Sequence, residues 1–287
     1  MNHFKIIFLL ALSQFFNIID FMILMPLSPK LMREFSLSPA QFGVLISAYA
    51  FSASPSGLLG TLWLDKFDRK KALFFTMLSF SLGTFFCGFA DSYMTLLIAR
   101  IFTGAFGGII ASQVFTIVAD IIPLEKRASS MGIIMSAFSV ASIIGVPISL
   151  WIADQTSWHM TFYLLAGASF LCSIAQLITF PNFRAHLGQS SKATQVFTDL
   201  KASTNQQFAL LFMLLVVLSH FIVIPYIAPY WVSNANFPEK DLPYMYFFGG
   251  LCTAVTTPLF GKLADRFGRS KMMMILIPIS LIPLTGF

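Results

Sequence analysis

Long apolar stretches separated by short polar segments fill almost the whole of this 287-residue chain. A helix needs roughly 20 mostly apolar residues to cross the hydrocarbon core of a membrane. The pattern therefore predicts nine membrane-spanning helices, at residues 6–28, 41–64, 72–90, 93–119, 129–152, 159–180, 207–231, 243–261 and 272–287. The predicted fold class is an all-α polytopic membrane protein.

One polar stretch is longer than the others and divides the spans into two groups. Residues 181–206 are rich in Ser, Gln, Thr and Lys, and they separate the sixth predicted span from the seventh. Such a composition is typical of a linker between packed units. The predicted domains are a six-span N-terminal bundle at 1–180, a cytoplasmic linker at 181–206 and a partial C-terminal bundle of three spans at 207–287.

The composition agrees with a membrane protein and argues against a soluble one. Hydrophobic residues make up 57% of the chain and charged residues only 10%, whereas a soluble domain carries about 25% charged residues. The net charge of +6 would suit a nucleic-acid partner. The basic residues, however, lie in short clusters between apolar stretches, which is typical of loops at a membrane surface. The expected partner is membrane lipid, not nucleic acid.

The distribution of Lys and Arg sets the expected orientation. If the N-terminus is cytoplasmic, every Lys and Arg outside the spans faces the cytoplasm except Lys30, Arg33 and Lys240. Arg100 falls inside a span. Because cytoplasmic loops are enriched in basic residues, the sequence predicts a cytoplasmic N-terminus.

Three ionisable residues lie inside predicted spans, where burying a charge is costly and usually functional. Asp20 is in the first span with Asn17 one helical turn before it, Arg100 is in the fourth span and His220 in the seventh. We predict that Asp20 is a protonatable group lining a central cavity, and that Arg100 is its partner in proton coupling. The alternatives are a structural ion pair, or an Asp20 close enough to water to need no partner. For His220, the alternative to a cavity role is a hydrogen bond to a neighbouring helix.

Enzyme chemistry finds little support in the sequence. The four histidines include no pair at metal-binding helical spacing, no two carboxylates share a span, and no phosphate-binding loop is present. The cysteines Cys87, Cys172 and Cys252 lie inside apolar stretches and are expected to be packing residues. The sequence therefore predicts a non-enzyme with no metal site and no cofactor.

A charged hairpin occurs twice, 200 residues apart. The segments TLWLDKFDRKK at 61–71 and GKLADRFGRSK at 261–271 each place an Asp after an apolar stretch, then a cluster of Lys and Arg, then another apolar stretch. The repeat indicates two related halves. In the first copy, Asp65 and Arg69 are expected to form a charged network with Asp120, at the inner end of the fourth span. The alternative is a hairpin that only fixes the topology.

These hairpins resemble the G-x-x-x-D-R-x-G-R-[RK] motif of the major facilitator superfamily, in its drug:proton antiporter and sugar-efflux branch. The second copy matches at Gly261, Asp265, Arg266, Gly268, Arg269 and Lys271. The first copy matches at Asp65, Lys66, Arg69 and Lys70, but Thr61 and Asp68 stand where the family has glycines. Because Asp tolerates a left-handed backbone better than most residues, we expect Asp68 to preserve the turn.

Other segments are similar to the same family. Residues 100–108, RIFTGAFGG, resemble its R-x-x-x-G signature, and residues 20–26, DFMILMP, resemble an Asp-to-Pro element of the first span. Residues 145–150, GVPISL, are similar to the G-x-P-x-G bend of sugar-efflux permeases. Gly145 and Pro147 are therefore expected to bend the fifth span.

The resemblance implies a twelve-span fold of two bundles, of which this chain supplies about nine spans. We therefore expect it to be truncated after the ninth span, as a fragment or as the product of an interrupted gene. The implied function is secondary active efflux of small organic molecules, drugs or sugars, in exchange for protons, by a monomer in a bacterial inner membrane. Two alternatives stay open: a non-coupled or uptake permease of the same fold, and a membrane fragment that does not transport.

The resemblance also implies a role for the hairpins. In the family, such charged networks latch the two halves together in the outward-facing state, where the Asp meets the positive N-terminus of a facing helix. The helix expected to face Asp65 is the eleventh span, which lies beyond the nine. The gating residues are expected to be Asp65, Arg69, Asp120, Gly261, Asp265, Arg266, Gly268 and Arg269.

Overall fold

The computed structural model describes residues 3–64, 66–183 and 203–281, and these residues form helices and short connections without any β-strand. The α-helices are α1 (His3–Ile23), α2 (Ser28–Glu34), α3 (Pro39–Leu64), α4 (Arg69–Gly88), α5 (Tyr93–Ile121), α6 (Leu124–Val140), α7 (Val146–Gln155), α8 (Trp158–Thr179), α9 (Thr204–Val223), α10 (Ile227–Asn234), α11 (Leu242–Phe267) and α12 (Arg269–Leu281). A π-helical turn at Ala141–Gly145 joins α6 to α7, and 3-10 turns occupy Ile224–Tyr226 and Glu239–Asp241.

Seven helical segments in the described part of the chain are long and apolar enough to cross a membrane. They are α1, most of α3, α4, α5, the continuous stretch from α6 to α7, α8, and the stretch from α9 to α10, and they coincide with the first seven predicted spans. The eighth predicted span is α11, which carries several Gly and Thr residues and Pro258, and the ninth is α12, of which 13 residues are described. The predicted fold class, a six-span bundle followed by about three further helices, is confirmed.

The predicted linker lies mostly outside the described residues. Helix α8 ends at Thr179 and α9 begins at Thr204, but only the two edges of the segment 181–206 are described. The division into two domains at this segment therefore stays a prediction.

Long helix pairs hold the N-terminal bundle together. Helix α3 packs along α5, α4 packs against α5 and α8, and α1 contacts α5, α6 and α8. Two large clusters of buried apolar side chains fill most of the bundle, one that includes Ile23 and Leu45 and another that includes Leu10 and Phe80. The polar part of α1 lies between these two clusters, so its polar side chains are surrounded by apolar packing on both sides.

The two ends of the bundle differ in their connections. The α2 end carries α2 and the segments that join α4 to α5, α7 to α8 and α10 to α11. The hairpin end carries the N-terminus and the segments that join α3 to α4, α5 to α6 and α11 to α12. At the α2 end, Ala228 of α10 and Leu242 of α11 belong to the same buried cluster as Ile23 and Leu45. Apolar packing between the two halves therefore closes the α2 end.

A π-helical turn interrupts the fifth span. In this turn the Val146 N–H donates to the Ala141 carbonyl, and Pro147 follows with no N–H of its own. A Cβ atom on Gly145 would lie 2.6 Å from Ile19 Cγ1 of α1, so a side chain here would push the two helices apart. The bend predicted at Gly145 and Pro147 thus falls on a local widening of the helix, which also contacts α11.

The two hairpin turns are built differently. Asp68 has a φ of −59°, so the expectation that it takes a left-handed backbone in place of glycine is wrong. Its carboxylate instead accepts a hydrogen bond from the Lys70 N–H at 3.0 Å and caps the N-terminus of α4. In the second hairpin Gly268 has a positive φ of 92°, which favours glycine, and its N–H donates to the Ala264 carbonyl at the end of α11.

Candidate functional site

A fully buried ion pair lies in the middle of the N-terminal bundle. Arg100 Nη1 of α5 donates to Asp20 Oδ2 of α1 at 2.7 Å and to the Asp20 carbonyl oxygen at 3.1 Å. Thr84 Oγ1 of α4 donates to the other carboxylate oxygen at 3.0 Å. The side chains of Asp20 and Arg100 are 0% and 1% exposed. Side chains of α4 and α5 therefore bind the carboxylate of Asp20 on α1, and this carboxylate is shielded from both water and lipid.

Tyr49 of α3 connects this ion pair to a second polar residue of α1. Its ring lies 4.5 Å from the guanidinium carbon of Arg100, a cation–π distance. Its hydroxyl donates to Asn17 Oδ1 at 2.7 Å, and Asn17 Nδ2 donates to the Gly107 carbonyl of α5 at 3.1 Å. The result is a continuous polar chain from Asp20 through Arg100 and Tyr49 to Asn17.

An open cavity of about 310 Å³ lies at the Asn17 end of this chain. Asn17, Phe21 and Tyr49 line it together with small residues of α3 and α5. Phe21 also packs against Phe221 of α9, with ring centroids 5.7 Å apart, so the cavity borders the second half of the chain. Asn17 and Tyr49 contact the cavity, whereas Asp20 and Arg100 lie behind them.

The structure brings three of the four residues predicted for proton coupling into one network. Asn17, Asp20 and Arg100 belong to it, while the side chain of His220 lies outside the described residues. Tyr49 and Thr84 were not predicted, although Thr84 donates to the Asp20 carboxylate and Tyr49 connects Arg100 to Asn17.

At the hairpin end, one predicted charged contact is present. Arg69 Nε at the start of α4 donates to Asp120 Oδ2 near the end of α5 at 2.8 Å, and the Arg69 side chain is only 7% exposed. The neighbouring Asp68 accepts a hydrogen bond from the Phe183 N–H, which follows α8. These contacts tie α4, α5 and the segment after α8 together. Asp65 lies outside the described residues.

Less of the second hairpin is described. Gly261 belongs to α11 and Gly268 ends that helix, but the side chains of Asp265 and Arg269 lie outside the described residues. The Arg266 guanidinium carbon lies 5.5 Å from the ring centroid of Phe267. This hairpin therefore contributes a described turn and a local cation–π contact.

The described side chains offer no ligand set for a metal ion. Within the described ranges, no three His, Cys, Asp or Glu residues come together in a group that could hold one.

Comparison with known proteins places this architecture in a family. The family model described as Major Facilitator Superfamily matches residues 10–287. The chain belongs to the major facilitator superfamily. Membership in this family of transporters, together with the apolar helices, makes it an integral membrane protein.

Several curated members of the superfamily are similar in sequence. The inner membrane transport protein YdhP of Escherichia coli is 30% identical over 244 residues, which are 84% of this chain and 61% of that protein. The multidrug resistance protein 2 of Bacillus subtilis is 25% identical, over 96% of this chain and 70% of that protein. A probable sugar efflux transporter of Helicobacter pylori is 26% identical, over 95% and 70%. The chain thus spans about six-tenths of the length of YdhP.

Solved structures of the superfamily share the fold. A bacterial homologue of the human lysosomal transporter Spinster, in an inward-facing and unoccupied conformation, gives a TM-score of 0.77 at 18% identity, over 94% of this chain and 64% of that one. A D-xylose–proton symporter gives a TM-score of 0.72 at 16% identity, over 94% and 70%. At this level of identity the likeness shows the fold alone.

Proposed function

We propose that this major facilitator protein is a secondary active transporter of the drug:proton antiporter and sugar-efflux branch. It expels small organic molecules across a bacterial inner membrane in exchange for protons, with its N-terminus in the cytoplasm. The observation that carries the proposal is the buried Asp20–Arg100 ion pair and its polar connection to the cavity. The names of the E. coli, B. subtilis and H. pylori relatives support the membrane and the direction of transport.

The ion pair offers a physical route to proton coupling. When a proton binds the Asp20 carboxylate, Arg100 loses its counter-charge while it remains buried, which is costly in a low-dielectric interior. The guanidinium must then move toward other acceptors, and Tyr49 stacks on it while bonding Asn17 at the cavity. Proton binding on Asp20 thereby changes the side chains that contact the substrate. Release of the proton restores the pair.

The lining of the cavity favours a lipophilic substrate over a sugar. Its polar side chains, Asn17 and Tyr49, are already hydrogen-bonded to each other at 2.7 Å, and Phe21, Ala50 and Ala111 supply apolar surface. A polyhydroxylated ligand needs many free donors and acceptors, because unpaired polar groups are costly to bury. Within the branch, we therefore propose an apolar or amphiphilic organic molecule as the substrate.

Alternating access supplies the transport cycle. The two halves rock around the cavity, as in other transporters built from repeated bundles. In the described conformation apolar packing closes the α2 end, which in the proposed orientation faces outward, so this conformation corresponds to an inward-facing state. The hairpin residues Asp65, Arg69, Asp120, Gly261, Asp265, Arg266, Gly268 and Arg269 are proposed to latch the opposite, outward-facing state.

The proposal is tested by reconstituting the full 287-residue chain into liposomes that are acidic inside. Ethidium, a lipophilic cation, is expected to accumulate in exchange for protons leaving the vesicles, and a proton ionophore is expected to abolish the accumulation. Radiolabelled lactose serves as the sugar probe and is expected to stay outside. Ethidium flux that ignores the pH gradient would favour a non-coupled permease, and the absence of any flux would contradict the proposal.

A further inference from the structure

A groove on the outside of the N-terminal bundle has a chemistry that the transport cycle does not use. It lies near the hairpin end between α3, α4 and α5 and holds about 460 Å³. Phe67, Phe75, Phe106 and Ile109 form much of its apolar wall. Phe67 and Phe75 are 51% and 60% exposed, so the groove opens sideways from the helices. In a membrane-spanning bundle that direction faces lipid.

One end of this groove is basic. Lys71 lines it from the first turn of α4, is exposed, and makes no hydrogen bond or ion pair with any described residue. Lys66 and Lys70 lie beside it in the chain, and the structure likewise gives their side chains no partner among the described residues. The nearby carboxylate of Asp68 already accepts hydrogen bonds from two backbone N–H groups. Asp68 lines the groove as well, but the three lysines outnumber this one carboxylate, so the mouth of the groove carries an excess of positive charge.

The other end of the groove is apolar and lies deeper in the membrane. Ser79 lines it eight residues further along α4, which is about 12 Å away at the rise of an α-helix. A cation at the membrane surface, followed by about 12 Å of aromatic and aliphatic wall, fits a molecule with an anionic head and a hydrocarbon tail. Both features are present in a phospholipid of the surrounding bilayer.

A second groove provides an internal contrast. It lies between α4 and α5 near the α2 end, holds about 440 Å³ and is lined by Phe86, Phe89 and Phe102. The charged residue in its lining is Asp91, with no lysine beside it, whereas the first groove is lined by Lys71 as well as by Asp68. A carboxylate without a neighbouring cation repels a phosphate. The two grooves thus have similar apolar walls, but only the first has a cation that can bind the phosphate of an anionic lipid.

We propose that the groove between α3, α4 and α5 binds one anionic glycerophospholipid. Its acyl chain lies against Phe75 and Phe106, and its phosphate contacts Lys71. A basic residue near an anionic lipid surface strengthens binding about fivefold, so Lys71 is expected to give phosphatidylglycerol that advantage over zwitterionic phosphatidylcholine.

Native mass spectrometry of the full chain, released from micelles that contain equal amounts of the two lipids, tests the proposal. The wild-type protein is expected to retain phosphatidylglycerol over phosphatidylcholine. The variant Lys71→Gln is expected to lose that preference by about fivefold and to keep its phosphatidylcholine. The matched control Lys240→Gln, an exposed lysine near the α2 end, is expected to behave as wild type.

A second variant tests the apolar part of the groove. Ser79→Phe fills the deep end, and it is expected to reduce retention of both lipids while the protein elutes from gel filtration as wild type. Equal lipid preferences in the Lys71 and Lys240 variants would overturn the proposal, as would unchanged retention in Ser79→Phe. A dimer of the chain that disappears in Ser79→Phe would also overturn it, because the groove would then be occupied by a second copy.

Discussion

At the scale of single residues, the buried ion pair is expensive to maintain. Moving an ion from water into a protein interior costs several kcal/mol even after relaxation, and removing one partner of a buried pair costs about 3–5 kcal/mol. Asp20 and Arg100 recover this cost through the hydrogen bonds at 2.7, 3.1 and 3.0 Å and through the ring of Tyr49. Any step that protonates Asp20 disturbs all of these contacts together.

Substitution of Tyr49 separates its two contacts. Tyr49→Phe removes the hydrogen bond to Asn17 but keeps the ring under Arg100, so we expect a loss of about 0.6–1.7 kcal/mol of stability, the range for hydrogen bonds between membrane helices. Tyr49→Leu also removes the cation–π contact, worth about 2 kcal/mol when desolvated. In detergent, the melting temperature is expected to fall from the wild type to Tyr49→Phe and again to Tyr49→Leu. Equal melting temperatures for the two variants would show that Arg100 does not depend on the ring.

The sequence identified the charged part of this site but not its aromatic part. Asp20 and Arg100 stand out because an ionisable residue in an apolar span is rare, and Asn17 lies one turn from Asp20 on the same helical face. A tyrosine in a span is not unusual, so nothing in the pattern indicates that Tyr49 covers Arg100. Only the packing of α3 along α5 brings them together.

At the scale of elements, the short helix α2 joins parts of the chain that are distant in sequence. Lys30 bonds the Ala153 carbonyl and Asp154 of the fifth span at 3.1 and 3.3 Å. Arg33 forms a bidentate ion pair with Glu239, which lies in the segment between α10 and α11. Among these contacts, the one from Arg33 crosses between the two halves. It ties α2 to the 3-10 turn Glu239–Asp241, and in the proposed transport cycle it breaks when the α2 end opens.

The Arg33–Glu239 pair is expected to act as a latch on the α2 end. A cysteine placed at Ala228, in a chain with Cys252 changed to Ser, should react with an impermeant maleimide only when this end opens. Arg33→Ala is expected to speed labelling up to about fivefold, because an exposed ion pair is worth at most about 1 kcal/mol. Lys30→Ala, whose contacts stay within the first half, is the matched control. Labelling that is equally fast in both variants would contradict the latch.

Alkaline pH should leave this latch unchanged. Hydrogen bonding to the Glu239 carboxylate raises the pKa of Arg33 above its ordinary value. A cation with a raised pKa keeps its stabilising contact at every pH below its ordinary value and loses it only above that value. Because maleimide reacts with the thiolate, whose fraction rises with pH, the rate for Arg33→Ala is divided by that of the wild-type background at the same pH. This ratio is expected to be the same at pH 7 and at about pH 9. A fall of this ratio over the interval would contradict the prediction, because the wild-type protein would then lose its latch at alkaline pH.

The elements themselves were predictable to different degrees. Spans were located from the sequence because an apolar stretch of about 20 residues has few other uses. The turn of the first hairpin is present, but the left-handed backbone expected at Asp68 is not, because Asp68 serves as a helix cap instead of replacing glycine. The π-helical turn at Ala141–Gly145 lies next to Pro147 and packs closely against α1. The proline is visible in the sequence, but the close packing against α1 is not.

At the scale of the whole molecule, the two halves have different roles. The first half contains the ion pair, the polar chain and most of the described cavity wall, and the second half covers the cavity through Phe221 and closes the α2 end through Ala228 and Leu242. The repeated hairpins indicated two related halves from the sequence. Which end of the molecule is closed depends on contacts between distant helices, and no local pattern predicts it.

The central claim is that Asp20 couples proton movement to transport. Asp20→Asn keeps the size of the side chain but cannot bind and release a proton. Wild-type vesicles are expected both to accumulate ethidium along a pH gradient and to exchange internal for external ethidium without a gradient. The variant is expected to lose accumulation and keep exchange. Accumulation at the wild-type rate would contradict the claim, and so would the loss of both activities with a lowered melting temperature, because the ion pair would then be structural.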